Sequence, residues 1–304
     1  MIAELVSLKK THPLRNFSYT KDWFSFFQQL TKGKGPFEKA LIGGFCSQQF
    51  SFSFLAGYQA ALEAMFPGIA DPDRLKALCI SEEKGNHPKM IETRLVNNLI
   101  SGQKTYITAG TAAEQLFVLC KTPEVDEGRP VLKMVILSPT MEGIQVEHFP
   151  LPILTEVEHG RMTLNDVIIS TKQILTGDGY LTYTKPFRTR EDIGVGTAYQ
   201  AMLLRQAMEY GWEEELRDQL MLSLYNLSKF HDMKPLDPQT HLLLTANEKR
   251  FLDLLPSIEE NISTHSPEAF QQDWKTNNKV IAFAKKIKEI RLEKARRVLF
   301  ESHK

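Results

Sequence analysis

The chain has 304 residues, 42% of them hydrophobic, with 37 basic against 37 acidic side chains, so it can bury a sizeable core and has no charge bias toward nucleic acid or an anionic membrane surface. No run approaches the ~20 apolar residues of a membrane span and the N-terminus lacks the apolar core of a secretory signal, which predicts a cytoplasmic protein with no membrane span and no nucleic-acid partner. Cys46, Cys79 and Cys120 are widely spaced among apolar neighbours, the pattern of buried thiols rather than of a disulfide or a metal site.

From about residue 20 to 78, Trp23, Phe26, Phe27 and Leu30, then Phe54, Leu55, Tyr58, Ala61, Leu62 and Met65, recur at helical spacing, with breaks at Pro67-Gly68 and Asp71-Pro72. Residues 1–77 therefore read as a small helical domain. Over residues 78–185 short β-rich runs such as 132–137 and 167–169 alternate with Gly, Pro and Asn turns, as in an antiparallel barrel or sandwich. Within it, residues 102–110 and 116–122 read as a β-hairpin whose alternation puts Tyr106 and Thr108 on one face and Ile107 on the other. Residues 186–304 return to long helices, at 191–211, 213–230, 239–262 and 267–300, separated by Gly211, by Pro235 with Pro238, and by Ser266-Pro267. Four helices with short connections predict an antiparallel bundle. The basic residues of the last helix, from Lys275 to Arg297, interleave with Val280, Ile281, Ala284, Ile287, Ile290 and Ala295, as on a packed helix with a solvated charged face. His87, His148 and His159 lack metal-site spacing and read as structural. No nucleophile elbow and no Gly-Lys-Ser/Thr phosphate loop occurs.

Several segments in order carry a family resemblance. Leu78-Cys79-Ile80-Ser81-Glu82-Glu83 with Gly85-Asn86-His87 and Thr93, then Gly102-Gln103-Lys104-Thr105-Tyr106-Ile107-Thr108-Ala109-Gly110, then residues 143–146 and 159–169, resemble the middle domain of the acyl-CoA dehydrogenases. The resemblance implies an α+β multidomain fold: a small N-terminal helical domain (1–77), a middle antiparallel β-barrel or sandwich (78–185) and a C-terminal antiparallel helical bundle (186–304). It also implies FAD as cofactor, an acyl-CoA or related acyl thioester as substrate, a place in fatty acid metabolism, an electron-transfer flavoprotein as acceptor and a homo-oligomer. The family's flavin segment maps onto Leu78, Ile80 and Ser81, its Gly-Ser onto Gly85-Asn86, and its Trp-Ile-Thr onto Tyr106, Ile107 and Thr108. Tyr106 stands where Trp is usual, Glu83 replaces Pro, and the turn is one residue shorter before Gly85.

The family places its catalytic base late in the bundle beside paired glycines or at the first bundle helix. No glycine follows Gly211, so the resemblance points to Glu191, which aligns with the early base of the isovaleryl and long-chain members. From the residues alone, Glu191-Asp192 at a helix start also suits the helix dipole, and both roles stay open. Where the family has an Arg-Phe-Gly turn for the cofactor diphosphate, the chain reads Tyr210-Gly211-Trp212-Glu213-Glu214-Glu215, leaving Arg188, Arg190 or Arg205 as substitutes. The chain is also shorter than the family's usual length. Two expectations follow: a divergent flavoenzyme, or a cofactor-free scaffold or partner subunit of the same fold.

Overall fold

The computed structural model describes residues 2–282 and 285–301. In chain order the elements are helices α1 (Ile2–Thr11), α2 (Thr20–Leu30), α3 (Pro36–Phe45) and α4 (Phe50–Met65); strands β1 (Lys76–Cys79), β2 (Arg94–Val96), β3 (Leu99–Ile107), β4 (Gln115–Asp126), β5 (Arg129–Leu137), β6 (Ile144–His148) and β7 (Gly160–Ile168); then helices α5 (Lys185–Glu209), α6 (Glu214–His231), α7 (Pro238–His265), α8 (Glu268–Asn277) and α9 (Lys285–Arg296). They form two compact units, one of residues 18–28 with 62–188 and one of residues 1–17, 29–61 and 189–304.

The first is a β unit. Its seven strands run in the order β1-β4-β2-β3-β7-β6, with β5 also on β4. The pairs β2–β3, β3–β7, β4–β5 and β6–β7 are antiparallel, whereas β1 runs parallel to β4, with Cys79 opposite Val118. β4 is buried on both faces from Leu116 to Cys120, each at 0% exposure. One face joins the core with Val135, Met162 and Val167, and on the other Phe117 stacks 3.9 Å from Phe66. A strand covered on both sides has a continuous apolar run rather than an alternating one.

The expected hairpin between residues 102–110 and 116–122 does not form. Both segments are strands, but seven residues separate β3 from β4, with Ala109 at φ 55°, and β3 pairs with β2 and β7 instead. The tight turns lie elsewhere. Asn97 and Asn98 take φ 49° and 63° between β2 and β3, and Glu127 and Gly128 take 45° and 75° between β4 and β5, the left-handed pair that matches the twist of a two-residue hairpin.

In the helical unit, α5 meets α3 and α4 through small residues. A Cβ at Gly57 would lie 2.5 Å from the Gly194 carbonyl oxygen and from Val195 Cα, and one at Gly44 would overlap the Ala198 backbone. Around these crossings Phe50 stacks on Tyr199 at 6.4 Å and meets Trp274 edge-on at 6.0 Å, while the Phe50 N–H donates to Asp273 Oδ2 at 2.7 Å. Phe45, Phe50 and Phe52 are at most 1% exposed, each contributing roughly 1.5–3 kcal/mol by burial.

α5 starts at Lys185, not at residue 191. A π-turn over Gly179–Thr184 leads into it, and Asp178 Oδ1 accepts from the Tyr180 and Leu181 N–H groups at 2.8 and 2.6 Å, so capping is complete before the predicted start. The expected final helix over 267–300 is divided: α8, a 3-10 turn over Asn278–Ala282, α9, and a π-turn over Arg297–Glu301. Residues 283 and 284, including Ala284, lie outside the described residues.

Candidate active site

In the β unit the segment that leaves β1 is held from below by a buried ion pair. Lys104 points inward from β3 and donates to Glu82 Oε1 at 2.7 Å and to the Ile80 carbonyl at 3.2 Å; the two charged side chains are 0% and 8% exposed. Glu82 also accepts from the Thr93 hydroxyl at 2.8 Å and from the Thr93 and Glu92 N–H groups at 3.1 and 2.7 Å. Burial by itself would raise the Glu82 carboxyl, but the Lys104 charge and these hydrogen bonds outweigh it and hold it below the ordinary carboxylate range. Gly102, at φ 150°, leaves the room Thr93 needs, since a Cβ there would sit 2.6 Å from Thr93 Cα.

Above this floor lie most of the residues expected to hold a cofactor. The Thr105 N–H donates to the Ser81 carbonyl at 2.8 Å, which brings Ile80 and Ser81 beside residues 104–106. Tyr106 sits at a register shift between β3 and β7, with φ 55°. Its ring is 55% exposed and edge-on to Phe149 at 5.1 Å and 85°, while Arg161 lies 5.0 Å from the Phe149 ring. Ile107 is 1% exposed and joins the core, Leu78 is 8% exposed, and Thr108 is half-buried. Leu78 and Ile107 thus offer a ligand their backbone rather than their side chains. The Thr105 hydroxyl is buried and has no hydrogen-bond partner among the described residues. Asn86 is exposed beyond the turn closed by Glu82 and Gly85, and its Oδ1 accepts from Arg188 at 3.3 Å.

In the helical unit Glu191 lies well inside α5, whose first turn contains no acidic residue. It lines a cavity of about 190 Å³ with Asp192, Val195, Tyr199 and Gln200 of the same helix, Phe54 of α4, Leu227 of α6, and Leu244, Asn247 and Glu248 of α7. Lys288 of α9 closes it, bonded to Glu248 Oε1 at 2.6 Å and near Asp192 Oδ1 at 3.4 Å. Arg291 reaches Asp192 Oδ2 at 2.8 Å and the Thr189 hydroxyl at 3.2 Å. Burial is the main cause that lifts Glu248 above its usual range, and Asp192 adds to it; Lys288 stays raised despite burial because Asp192 and Glu248 face it. Burial, with Glu248 next, also pushes the Tyr199 phenol up.

Two of the arginines offered as diphosphate partners are occupied within the helical unit. Arg205 is 1% exposed and bonds the His12 carbonyl and Glu209, and Arg190 bonds the His231 carbonyl. The buried pair Glu82–Lys104 and the group Asp192, Glu248, Lys288 and Arg291 received no role from sequence. For Lys104 a signal was present, because a charge on the inward side of an apolar strand requires a partner; the second group joins residues about a hundred positions apart and leaves no local trace. Among the described residues no group of three or more His, Cys, Asp or Glu side chains converges as a metal site, and no helix is long and apolar enough to cross a membrane.

This architecture is the acyl-CoA dehydrogenase fold. Among particular solved structures, the chain is similar to glutaryl-CoA dehydrogenase from Mycobacterium smegmatis (TM-score 0.68, 12% identity, 98% of this chain and 92% of that one). It is also similar to acyl-CoA dehydrogenase from Geobacillus kaustophilus (0.67, 12%, 96% and 97%) and to butyryl-CoA dehydrogenase from Megasphaera elsdenii (0.66, 13%, 91% and 90%). No family model matches the sequence, and no curated protein matches it.

Proposed function

We propose that the chain is a divergent acyl-CoA dehydrogenase-like flavoprotein that oxidises an acyl thioester between its α and β carbons, with Glu191 as the base. The observation that carries this reading is the position of Glu191: inside α5, past the turn that Asp178 caps, and on the wall of a cavity lined by Phe54, Val195, Leu227 and Leu244 as well as by the charged Asp192, Glu248 and Lys288. A carboxylate there is not needed to cap the helix, and a partly desolvated carboxylate is the group that takes a weakly acidic C–H proton.

The β-unit residues fit a flat cofactor. Tyr106 supplies an exposed ring, the Ser81 and Thr108 hydroxyls and the unpartnered Thr105 hydroxyl supply hydrogen-bonding groups, and the backbone of Leu78, Ile80 and Ile107 is fixed beneath by the Glu82–Lys104 pair. Asn86, with Arg188 beside it, would meet the cofactor's more polar part. Bound there, FAD supplies the two-electron acceptor for the hydride leaving the β carbon. Glu191 takes the proton from the carbon next to the thioester carbonyl and keeps it on its carboxyl oxygen. An electron-transfer flavoprotein as acceptor, a homo-oligomeric state, a cytoplasmic location and a place in fatty acid metabolism belong to the same proposal.

One observation favours a second reading, a cofactor-free scaffold: Glu213, Glu214 and Glu215 are exposed together at the start of α6, and three carboxylates repel a diphosphate. The visible spectrum of the purified protein with and without added FAD separates the two. The enzyme reading expects a band near ~450 nm from the oxidised cofactor, bleached anaerobically by an acyl-CoA of matching length. In Glu191→Gln, turnover should fall by about 10²–10⁴-fold with flavin content unchanged. A protein that stays colourless in excess FAD sinks the enzyme reading, and loss of flavin together with activity in Glu191→Gln removes Glu191 as base.

A further inference from the structure

Two apolar surfaces of the helical unit lie open. The first is a groove between α1, α5 and α6, with a volume of about 320 Å³, lined by Leu5, Leu204, Met208 and Met221. Ile2 and Val6 form its exposed lip, and Tyr225, exposed one turn beyond Met221, continues the same stripe of α6. Toward the start of α6 the rim turns acidic, with Glu214 and Asp218 on the groove and Glu213 and Glu215 exposed beside them. Arg217 leans on Glu214 at 3.5 Å, while Glu215 and Asp218 enter no ion pair among the described residues.

The second surface is the end of α9 and the turn that follows it. Ala295 is buried, but Val298, Leu299 and Phe300 are 47%, 37% and 69% exposed. They follow the exposed Lys294, Arg296 and Arg297, with Glu293 and Glu301 at the two ends of the segment. Lys294 and Arg296 enter no ion pair among the described residues. Three successive exposed apolar side chains depart from the solvated charged face expected of this helix and mark an interaction surface.

The segment cannot fill the groove of its own chain. Lys288 reaches Asp192, and Arg291 reaches Asp192 and Thr189. The later residue of α9 thus meets the earlier residue of α5, so the two helices run in opposite directions and the residues after Arg291 move away from Leu204, which lies ~18 Å along α5 from Asp192. When two copies lie side by side and antiparallel, the same polarity puts each segment at the groove of the other.

We propose that residues 294–300 of a second copy of this chain occupy the groove, Val298 and Phe300 against Val6, Met208 and Met221, and Lys294 and Arg296 against Glu215 and Asp218, reciprocally across a two-fold axis. A helical segment of that length spans ~10 Å, as does α6 from Glu214 to Met221. A groove of about 320 Å³ is about twice the ~150 Å³ that holds a benzene ring, room for a phenyl group and a second apolar side chain. Reciprocal exchange closes the assembly at two copies. The proposal rests on the homo-oligomeric part of the reading above and names its surfaces; neither the flavin nor Glu191 enters it.

The test is the mass of the purified full chain by sedimentation equilibrium over about a hundredfold range of concentration. At the upper end it should reach at least twice the chain mass. Phe300→Glu should weaken association by about 30-fold or more, the size expected of a buried aromatic anchor. Glu215→Lys with Asp218→Lys should weaken it by about tenfold, and Lys294→Glu with Arg296→Glu by a similar factor. Mixed in equal amounts, these two charge-reversed chains should recover the association of the parent, because each reversed groove then meets a reversed segment. All five positions are exposed, and circular dichroism of each variant checks that its helices persist. A monomer at every concentration overturns the proposal together with the oligomeric state. A dimer that Phe300→Glu leaves intact, or charge-reversed chains that do not recover on mixing, overturns the proposal while the oligomeric state stands.

Discussion

At the scale of single residues, the Glu82–Lys104 pair and His159 show how burial turns a charge into a structural constraint. Removing both charges costs little if the space is refilled, but removing one leaves the other buried and uncompensated. Lys104→Met should therefore lower stability by about 3–5 kcal/mol, and adding Glu82→Gln should recover part of that, as read from urea midpoints. His159 is 3% exposed, and burial pushes its pKa down to about 4. The unfolded chain, with a His near ~6.5, then binds more protons than the folded one between those values. Stability from this group is complete above about pH 6.5 and is lost as pH falls toward 4, by about 3 kcal/mol in all. In His159→Leu the difference between unfolding midpoints at pH 7.5 and pH 5 should shrink; an unchanged difference would mean that another group titrates there.

At the scale of elements, the crossing of α4 and α5 depends on two glycines meeting backbone to backbone. Gly57→Ala should cost about 1–3 kcal/mol by overpacking, because neither the Gly194 carbonyl nor Val195 Cα can swing away. Gly196→Ala is the internal control. Its Cβ would meet nothing nearer than the Tyr199 hydroxyl at 3.9 Å, and alanine in a helix is better than glycine by up to about 1 kcal/mol, so thermal unfolding should move in opposite directions for the two variants. Glu191 and Val195 stand one turn apart on α5, so the packing at Gly57 also bears on the cavity wall.

At the scale of the whole molecule, equal numbers of acidic and basic side chains leave a formal net charge of +0 at pH 7, and a chain without net charge has little colloidal repulsion. Solubility should pass through a minimum near pH 7 and rise on moving to pH 8.5, which precipitation by ammonium sulfate at the two pH values would measure; a maximum at pH 7 would contradict the argument. The sequence by itself carried the three-part architecture, through short ordered segments that resemble those of a known family. The runs around Ser81, Tyr106 and Gly160 carry that resemblance, while side-chain alternation within each run depends only on near neighbours. The helices between residues 186 and 265 were legible by periodicity, although the start of α5 was not, because its cap at Asp178 precedes an irregular π-turn, and the single helix expected over 267–300 is divided. Tertiary structure alone decided which strands pair, putting β3 between β2 and β7 rather than beside β4. It alone placed Lys104 under Ile80 and gathered Glu191, Gln200, Glu248 and Lys288 around one cavity. The reason is physical. Pairing between distant segments is chosen by loop closure and by which polar and charged groups can be buried together, and neither is written in the spacing of residues along the chain.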